Sequence, residues 1–391
     1  MFYSCVPLAI AAAAAVVSAS PVERAATVVI PVSHVTNVTS WKNIVNRGQA
    51  RINKVNGIQA QPGFQNDASS GTITNELVSY VAPIVIGGKT WQLIVDTGSS
   101  NTWCGAQTSC EKTSTGKSTG HSVQVSYGSG SFSGTEYTDT VSFGGLTVTT
   151  QSIGAASSAT GFDSVDGIFG VGPVDLTSGT VASTSTVPTF LDNLYAQKSI
   201  TTEVLGVYFA PESGADQNDA NGELTLGGVD TTKYTGTLTY FPKLTSGTAS
   251  EYWGITVAAF TYGTTSLATA AQGIVDTGTT LIYIPTAAYT KFLSASGGKT
   301  DSSSGLAVFT TKPTSNFSIK FGTTTYALTP AQYLVPTAEY SAFGLTTGKY
   351  YAWINDGGSS GVNTIIGQKF LENYYSVFDT TNSRIGFATR A

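Results

Sequence analysis

The stretch IVDTGSS at positions 94–100 returns almost unchanged as IVDTGTT at positions 274–280. Each copy places an aspartate after two β-branched apolar residues and before a Thr-Gly turn, which is the pattern of a buried strand that ends in an acid. A buried carboxylate destabilises a fold unless another group pairs with it. The repeat therefore predicts two related lobes that bring Asp96 and Asp276 together.

A second pair of segments extends this repeat. DGIFGVG at 166–172 follows the first acid and NTIIGQKF at 363–370 follows the second, each with an apolar pair before a glycine. The interval between copies is far longer than the roughly 20–50 residues of a solenoid repeat, which indicates a duplicated lobe. Turn-initiating aspartates are the alternative, but they leave the identical Ile-Val before each acid unexplained.

The composition predicts an all-β protein. The chain has 391 residues, 43 of them glycine, with 11% aromatic and only 11% charged residues. This length suggests two similar units, and this composition favours many short strands joined by tight turns. The best helical candidates are short segments at 187–197, 285–295 and 367–375.

The N-terminal region is predicted to be a leader followed by a propeptide. Residues 1–19 contain an apolar run and then small residues, which is typical of a secretory signal and too short to span a membrane. Residues 20–67 carry five basic and two acidic side chains, whereas the rest of the chain carries 14 basic and 22 acidic ones, a net charge of −8. This split favours an ion-paired propeptide that acid releases, with a solvated basic linker as the alternative. The acidic body argues against nucleic-acid binding.

The cysteines indicate a disulfide and no metal site. Cys5 lies in the leader, so Cys104 and Cys110 are the thiols of the body, and their spacing in an exported chain predicts a small disulfide loop. A zinc site needs two further ligands that nothing nearby supplies, and no cofactor is expected. Asn316, in an Asn-Phe-Ser sequon, is a candidate for glycosylation.

The chain resembles the pepsin-type aspartic endopeptidases, and among them the secreted fungal enzymes, in an ordered set of motifs: the two I-V-D-T-G segments, VSYGSGSFSG (125–134), DGIFGVG, EYWGITV (251–257) and TIIGQKFLENYYSVFD (364–379). The resemblance covers nearly all of residues 70–391. It implies a bilobal pepsin-like fold of two related β-barrel-like lobes, over 68–240 and 241–391, with an active-site cleft between them and a few short helices.

The chemistry of two neighbouring carboxylates agrees with this resemblance. Asp96 and Asp276 cannot both ionise easily at close range, so they share a proton at acid pH; the aspartic-protease dyad is the standard example of this coupling. One carboxylate can take a proton from water while the other donates a proton to the scissile carbonyl, which is general acid/base hydrolysis.

The residues around the acids are suited to supporting them. Gly98 and Gly278 let backbone N–H groups approach the carboxylates, and Ser99 and Thr279 supply hydroxyls that can bond the outer oxygens. The resemblance implies one more pair that hydrogen-bonds across the lobe interface and keeps the acids at working distance, namely Thr97 and Thr277.

A flap over the cleft is expected at the YGSG tip of a hairpin. Gly128 and Gly130 permit the turn around Ser129. The resemblance implies that Tyr127 packs on the cleft with Trp103 as its hydrogen-bond partner; an ordinary exposed hairpin is the alternative.

An apolar substrate pocket is expected beside the acids. Its candidate walls are Ile94, Phe162, Ile168 and the flap tyrosine, so hydrophobic side chains are expected on either side of the cut bond. The alternative is that these residues are simply part of the core, where most apolar residues lie.

The sequence thus predicts a secreted acid endopeptidase made as a zymogen, with Lys54 or Arg51 over the dyad and a cleavage near 64–71, such as after Phe64. Polypeptide substrates, the chain's own propeptide and pepstatin-type inhibitors are the expected partners, without a membrane, and a monomer is the default.

Two rival functions stay open at this stage. A pepsin-like fold can act as a catalytically silent inhibitor or binding protein, since a fold does not determine function. A secreted glycan-binding β-sandwich fits the composition but leaves the repeat unexplained. GGSSG at 357–361 matches the G-x-S-x-G motif, yet its flanks are wrong for a nucleophile elbow and His121 is the one histidine of the body, so the match indicates a loop.

Overall fold

The computed structural model describes residues 27–37, 40–57, 77–110, 113–128, 130–162, 164–211, 220–341 and 343–391, with the backbone alone for 35–37 and 77–78. The predicted signal at 1–19 and the expected cleavage after Phe64 lie outside these residues.

The described residues form 23 strands and five α-helices. The strands of the first part of the chain are β1 (Val28–Asn37), β2 (Leu77–Ile86), β3 (Lys89–Asp96), β4 (Trp103–Cys104), β5 (Lys117–Ser126), β6 (Ser131–Phe143), β7 (Leu146–Thr160), β8 (Gly167–Gly170), β9 (Val204–Tyr208), β10 (Gly222–Leu226) and β11 (Tyr234–Pro242). The later strands are β12 (Gly254–Tyr262), β13 (Thr265–Val275), β14 (Ile282–Ile284), β15 (Lys299–Thr300), β16 (Ala307–Phe309), β17 (Phe317–Phe321), β18 (Thr324–Leu328), β19 (Tyr350–Ala352), β20 (Ile354–Asp356), β21 (Thr364–Ile366), β22 (Tyr374–Asp379) and β23 (Arg384–Arg390). The helices are α1 (Trp41–Val55), α2 (Phe190–Ala196), α3 (Thr286–Ser296), α4 (Pro330–Tyr333) and α5 (Gln368–Leu371).

The strands form one large sheet and two smaller ones. The large sheet has the order β11-β23-β22-β9-β10-β1-β2-β3-β8-β4-β7-β6-β5, and a seven-stranded sheet, β18-β17-β12-β13-β21-β14-β20, forms the C-terminal lobe with the three-stranded sheet β15-β16-β19. The last two strands of the chain return to pair with β9 and β11, so a shared sheet joins the two halves. The predicted all-β, bilobal, pepsin-like class is confirmed.

The sequence repeat is a repeat of structure. The strand that ends in Asp96 pairs in parallel with β8, and the strand that precedes Asp276 pairs in parallel with β21. A Cβ on Gly170 would lie 2.5 Å from the backbone of Ser100, and one on Gly367 would lie 2.2 Å from the carbonyl oxygen of Leu281. The apolar-apolar-glycine segments are therefore the neighbours against which each acid-bearing loop packs, and only glycine allows this approach.

The helices differ in how well the sequence indicates them. α2 and α3 lie within or one residue beyond the predicted segments 187–197 and 285–295. The segment 367–375 is helical only over its first turn, which is α5. It then enters β22, because Tyr374 and Tyr375 are buried in the large sheet. The longest helix, α1, lies in the basic region where no helix was predicted.

Helix α1 is held by the lobe against which it packs. Its Gly48 faces the ring of Tyr283, where a Cβ would lie 2.1 Å from a ring carbon, and the Tyr283 hydroxyl donates to the carbonyl of Val45 at 2.8 Å. At the end of the helix, the Asn56 side chain makes two hydrogen bonds with the backbone of Val362, at 2.8 and 2.7 Å. A glycine inside a helix lowers its intrinsic stability, so this helix depends on its docking.

We expect Gly48→Ala to loosen α1 in the full chain. The added methyl group must displace the Tyr283 ring, at a cost of about 1–3 kcal/mol, which exceeds the roughly 1 kcal/mol that alanine gains in helix propensity. Hydrogen exchange of the α1 amides at neutral pH measures the change.

Asn43→Ala is the matched control, because Asn43 is an exposed residue of the same helix. It should leave protection equal or slightly higher. Equal protection in both variants would contradict the packing role of Gly48.

Candidate active site

The two aspartates lie in equivalent settings at the centre of the molecule. Asp96 is 2% exposed and accepts hydrogen bonds from the Gly98 N–H at 2.9 Å and the Ser99 hydroxyl at 2.5 Å. Asp276 is fully buried and accepts the matching bonds from its own loop, from Gly278 at 2.8 Å and Thr279 at 2.7 Å. Each carboxylate thus has one oxygen held by backbone and the other by a hydroxyl.

The glycine of each loop lies against the carboxylate of the other. A Cβ on Gly278 would lie 2.4 Å from Asp96 Oδ1, and a Cβ on Gly98 would lie 2.7 Å from Asp276 Cγ. Any larger residue would push the loops apart, so the two glycines set how closely the acids approach.

Two threonines join the loops by reciprocal bonds. The backbone N–H of Thr97 donates to Thr277 Oγ1 at 2.9 Å, and the backbone N–H of Thr277 donates to Thr97 Oγ1 at 3.0 Å. Each hydroxyl then donates to a carbonyl of the opposite strand, of Val275 at 3.2 Å or of Val95 at 2.8 Å. Gln368, which the sequence did not single out, donates to the Thr277 carbonyl at 2.7 Å and steadies the same turn.

Arg51 of helix α1 lies directly between the two aspartates. Its Nη2 donates to Asp96 Oδ1 at 2.6 Å and its Nε to Asp276 Oδ2 at 2.9 Å, with all three side chains at most 8% exposed. Of the two basic residues that the sequence proposed for this place, Arg51 occupies it. The planar guanidinium reaches both carboxylates at once, which a single ammonium group does less well.

Burial and charge determine the ionisation of this cluster. Burial opposes the charge of Arg51, but the two carboxylates outweigh it and raise its pKa above the ordinary value. Burial also opposes ionisation of Asp96, yet Arg51 and the Ser99 hydroxyl bring its pKa below the usual 3.8. Burial raises the pKa of Asp276, and the neighbouring Asp96 charge adds to this against the pull of Arg51. The Arg51 charge and the Ser99 hydroxyl thus favour the ionised form of Asp96, whereas burial and the Asp96 charge disfavour the ionised form of Asp276.

The flap closes over α1. Strands β5 and β6 form the hairpin, and the Tyr127 N–H donates to the Gly130 carbonyl at 2.7 Å. A Cβ on Gly128 would lie 2.5 Å from the backbone nitrogen of Arg51, so this glycine lets the helix pass under the flap. Lys54, the other proposed basic residue, is half-buried with its Nζ 5.1 Å from the centre of the Tyr127 ring. Burial and Arg51 lower the pKa of Lys54 to about 8.

The flap tyrosine and Trp103 are neighbours without a hydrogen bond of normal geometry. Their rings stack with centres 6.4 Å apart, and within the described residues neither the Tyr127 hydroxyl nor the indole N–H finds a partner. Burial and the Asp96 charge raise the pKa of Tyr127 well above its usual range, and a weak polar interaction with Trp103 opposes that shift. The hydrogen bond between the two therefore stays a prediction. Ser129, at the flap tip, lies outside the described residues.

Comparison with known proteins agrees with this geometry. The sequence profile of the family described as eukaryotic aspartyl protease matches residues 79–390. Polyporopepsin from Irpex lacteus is 46% identical over 332 residues, which cover 82% of this chain and 97% of that protein. Rhizopuspepsin from Rhizopus chinensis is 33% identical over 95% of this chain and 94% of its own. The crystal structure of aspartic proteinase from Irpex lacteus superposes with a TM-score of 0.79 and 40% identity, covering 94% of this chain and 98% of that one.

The chain belongs to the eukaryotic aspartyl proteases. Its relatives named polyporopepsin and pepsin identify it as a pepsin-like, aspartic-type endopeptidase. No helix among the described residues has the length and apolar character to cross a membrane. In the same residues, no group of three or more His, Cys, Asp or Glu side chains is placed to hold a metal ion.

The other proposed site residues of this aspartyl protease are placed as follows. One cavity, between α1 and the acid-bearing loops of both lobes, is lined by the four predicted pocket residues, Ile94, Tyr127, Phe162 and Ile168. Cys104 and Cys110 form a disulfide. Asn316 is exposed just before β17, and GGSSG lies in the loop between β20 and β21.

Some residues of the cleft were not expected from sequence. Helix α1 is bound to the C-terminal lobe through its residues Trp41 and Gly48 and its cap Asn56, and Tyr283 is the residue of the lobe that Gly48 contacts. The apolar residues of α1 recur at helical spacing, and that periodicity is the signal that could have revealed an amphipathic helix in the basic region 20–67.

We expect Thr97→Val to weaken the joint between the lobes. Valine keeps the shape but removes the acceptor of the Thr277 N–H and the donor to the Val275 carbonyl, and each buried group left without a partner costs about 1–3 kcal/mol. Urea unfolding measures the loss. Thr256→Val, at an exposed position of β12, is the control and should be near neutral. Equal midpoints for the two variants would rule out the proposed role of the threonine pair.

Proposed function

We propose that this aspartic endopeptidase is a secreted enzyme that acts at acid pH, is made as an inactive precursor and uses Asp96 and Asp276 as its catalytic pair. The observation that carries the proposal is the placement of both carboxylates around the single guanidinium of Arg51. Arg51, a cation from the basic region 20–67, occupies the place between the two acids where the reacting peptide bond must bind.

The two carboxylates divide the work of hydrolysis once α1 has left. The ionised carboxylate takes a proton from water, and the water oxygen attacks the carbonyl carbon of the substrate. The protonated carboxylate donates to the carbonyl oxygen, and a proton then passes to the leaving nitrogen as the C–N bond breaks. Because the two groups titrate as a pair, the roles of base and acid belong to the dyad jointly.

The supporting residues keep this dyad rigid and its surroundings apolar. The backbone N–H groups of Gly98 and Gly278 hold one oxygen of each carboxylate, and the hydroxyls of Ser99 and Thr279 hold the other. The threonine pair fixes the distance between the loops. Closure of the flap, with Tyr127 over the bond, excludes water from the reacting groups.

Substrates are polypeptides with hydrophobic side chains at the cut bond. The walls formed by Ile94, Phe162 and Ile168 lie in the cavity that also contains Asp96, which favours an apolar side chain next to the reacting carbonyl. Loss of water from apolar surface supplies the binding free energy.

The precursor is proposed to be inhibited by its own residues 20–67 and to be released by acid. Arg51 stays charged at every relevant pH, because its pKa is raised. Asp96 has a lowered pKa in the docked state, so its ion pair is fully present above the usual value of 3.8 and is lost as the pH falls through the lowered value. Asp276 works in the opposite sense, since its raised pKa favours the protonated form, so protonation of Asp96 leaves the Arg51 charge buried without a counter-ion.

The location and state of the protein form part of the proposal. The leader-like residues 1–19 support export, a cut near 64–71 would give the mature enzyme over 68–391, and the enzyme is proposed to act as a monomer. Pepstatin-type inhibitors should bind the freed dyad, and the exposed Asn316 is proposed to carry a glycan.

Substitution of either dyad aspartate tests the function directly. We expect Asp96→Asn and Asp276→Asn each to lower kcat on an unfolded protein substrate by roughly 10²–10⁴-fold, since each removes one partner of the general acid/base pair. The assay is hydrolysis from pH 2 to 7 by acid-treated protein, with and without pepstatin.

Asp230→Asn is the control, because its carboxylate bonds Thr232 and takes no part in the dyad. It should retain activity. A folded, matured wild-type enzyme without activity at any pH would instead support a silent binding protein.

Arg51→Gln tests the inhibition. Loss of the guanidinium leaves the docked helix without its ion pairs, and breaking such a buried pair costs about 3–5 kcal/mol. We expect the variant precursor to bind pepstatin at pH 5, where the wild-type precursor does not, as measured by calorimetry on uncleaved protein.

Lys42→Gln removes a positive charge from an exposed position of the same helix and serves as the matched control. It should behave as the wild type. If both Arg51→Gln and Lys42→Gln bind pepstatin, total charge and not the bridge to the dyad holds the helix in place. If neither variant binds it, the ion pairs of Arg51 are not what holds the helix.

A further inference from the structure

Trp41, the first residue of α1, fills an aromatic pocket of the C-terminal lobe. Its ring meets Phe343 edge-on with centres 4.9 Å apart and Trp353 at a tilt with centres 5.2 Å apart. In the docked helix Trp41 is 2% exposed, and it belongs to one buried apolar cluster with residues of its own helix and of the C-terminal lobe. We call the site formed by Phe343 and Trp353 the Trp41 pocket.

Helix α1 connects the Trp41 pocket with the dyad through one series of contacts. Along α1, Trp41 contacts the pocket, Val45 and Gly48 contact Tyr283, and Arg51 contacts Asp276. These contacts form a continuous line along the C-terminal lobe, from the Trp41 pocket to the reacting carboxylates.

The C-terminal lobe holds Trp353 without help from α1. The backbone of Trp353 pairs with Tyr333 and Ile282, each at 2.9 Å. Lys369 lies 4.7 Å from the centre of the Trp353 ring and is fixed by a buried ion pair with Glu372, at 2.9 and 3.0 Å. Since none of these partners belongs to α1, the Trp353 ring stays in place when the helix leaves.

Departure of α1 uncovers aromatic surface next to the cleft. Exposing apolar area costs about 25 cal/mol per Å², and contiguous apolar patches on a protein surface usually mark binding sites. The side chain that fits is the kind that fills the pocket in the precursor, an aromatic ring on a polypeptide.

We propose that the Trp41 pocket is a distal specificity site of the mature enzyme, which takes an aromatic side chain of the substrate some four or five residues from the cut bond. The inference rests on the proposed function of the chain as a precursor whose helix α1 leaves the cleft on maturation. Arg51 lies ten residues after Trp41 in the helix, which is a distance of about 15 Å at 1.5 Å per residue. An extended substrate advances about 3.3 Å per residue, so it covers that distance in four or five residues.

The structure also gives the side of the cut bond. The cavity with Ile94, Phe162 and Ile168 is lined from α1 by Ile44, Arg47, Gly48 and Arg51, so it extends from the dyad toward the Trp41 end of the helix. The Trp41 end of α1 and this apolar cavity thus lie on the same side of the dyad. The distal aromatic residue should be on the same side of the bond as the apolar residue that enters the cavity.

A substrate scan with the matured enzyme tests the proposal. Each internally quenched peptide has one apolar pair at the cut site in a Gly-Ser-Ala background, with a single Trp placed three to seven residues away on either side. The readout is the ratio of kcat/KM for the Trp peptide to that for its Ala counterpart. We expect a ratio of roughly ten at four or five residues on one side and near one elsewhere, since filling or emptying an apolar site changes kcat/KM by 10–200-fold.

Variants link that ratio to the pocket. Phe343→Ala should reduce the peak ratio to near one, and Phe343→Tyr should keep most of it, because the aromatic contact survives. Tyr195→Ala, at an exposed surface position, is the control and should leave both the ratio and the activity unchanged. The ratio compares two peptides within one variant, so partial loss of folded enzyme does not alter it.

Two results would overturn the proposal: a flat scan, or a peak that Phe343→Ala leaves intact. With a flat scan, inhibition by a peptide of residues 40–57 is measured next, for the wild-type peptide and for one with Trp41→Ala. Inhibition that depends on Trp41 would show that the pocket serves only the propeptide. Absence of hydrolysis of every peptide, including the Ala series, would instead count against the proposed endopeptidase function.

Discussion

Two buried carboxylates that approach each other impose the central constraint on this molecule. Neither Asp96 nor Asp276 can be ionised at low cost while the other is charged, and both lie out of contact with bulk water. A cation or a shared proton must therefore be present at all times. In the full chain Arg51 supplies the cation, and in the proposed mature enzyme the proton takes its place.

The duplicated loops satisfy this constraint by symmetry. Each loop holds its own acid with a backbone N–H and a hydroxyl, and each supplies the glycine against which the other acid packs. The threonine pair then makes every contact twice, once in each direction. A change in one loop is felt by both acids, which is a physical reason for the near identity of IVDTGSS and IVDTGTT.

The sequence predicts the dyad, its supporting loops and the all-β class because their signals are local. An acid after two β-branched residues and before Thr-Gly fixes a strand end and a turn, and the repeat supplies the pairing of Asp96 with Asp276. Helix α1 escaped prediction because Gly48 weakens its local tendency and its stability comes from Tyr283, more than two hundred residues away in sequence. The choice of Arg51 over Lys54 likewise depends on which side chain reaches both acids once the helix is docked. The segment 367–375 was predicted as too long a helix because β22 pairs with strands distant in sequence.

Helix α1 is held by two kinds of interaction that respond differently to acid. At its C-terminal part, Arg51 depends on carboxylate charge, which protonation removes. At its N-terminal part, Trp41 and Val45 depend on aromatic and apolar contacts that do not titrate. In the proposed activation, acid acts first on the end of α1 nearest the expected cut, while the apolar end keeps its affinity for the cleft. The proposed cleavage would then complete the release, because a severed segment loses the entropy of a separate molecule when it stays bound.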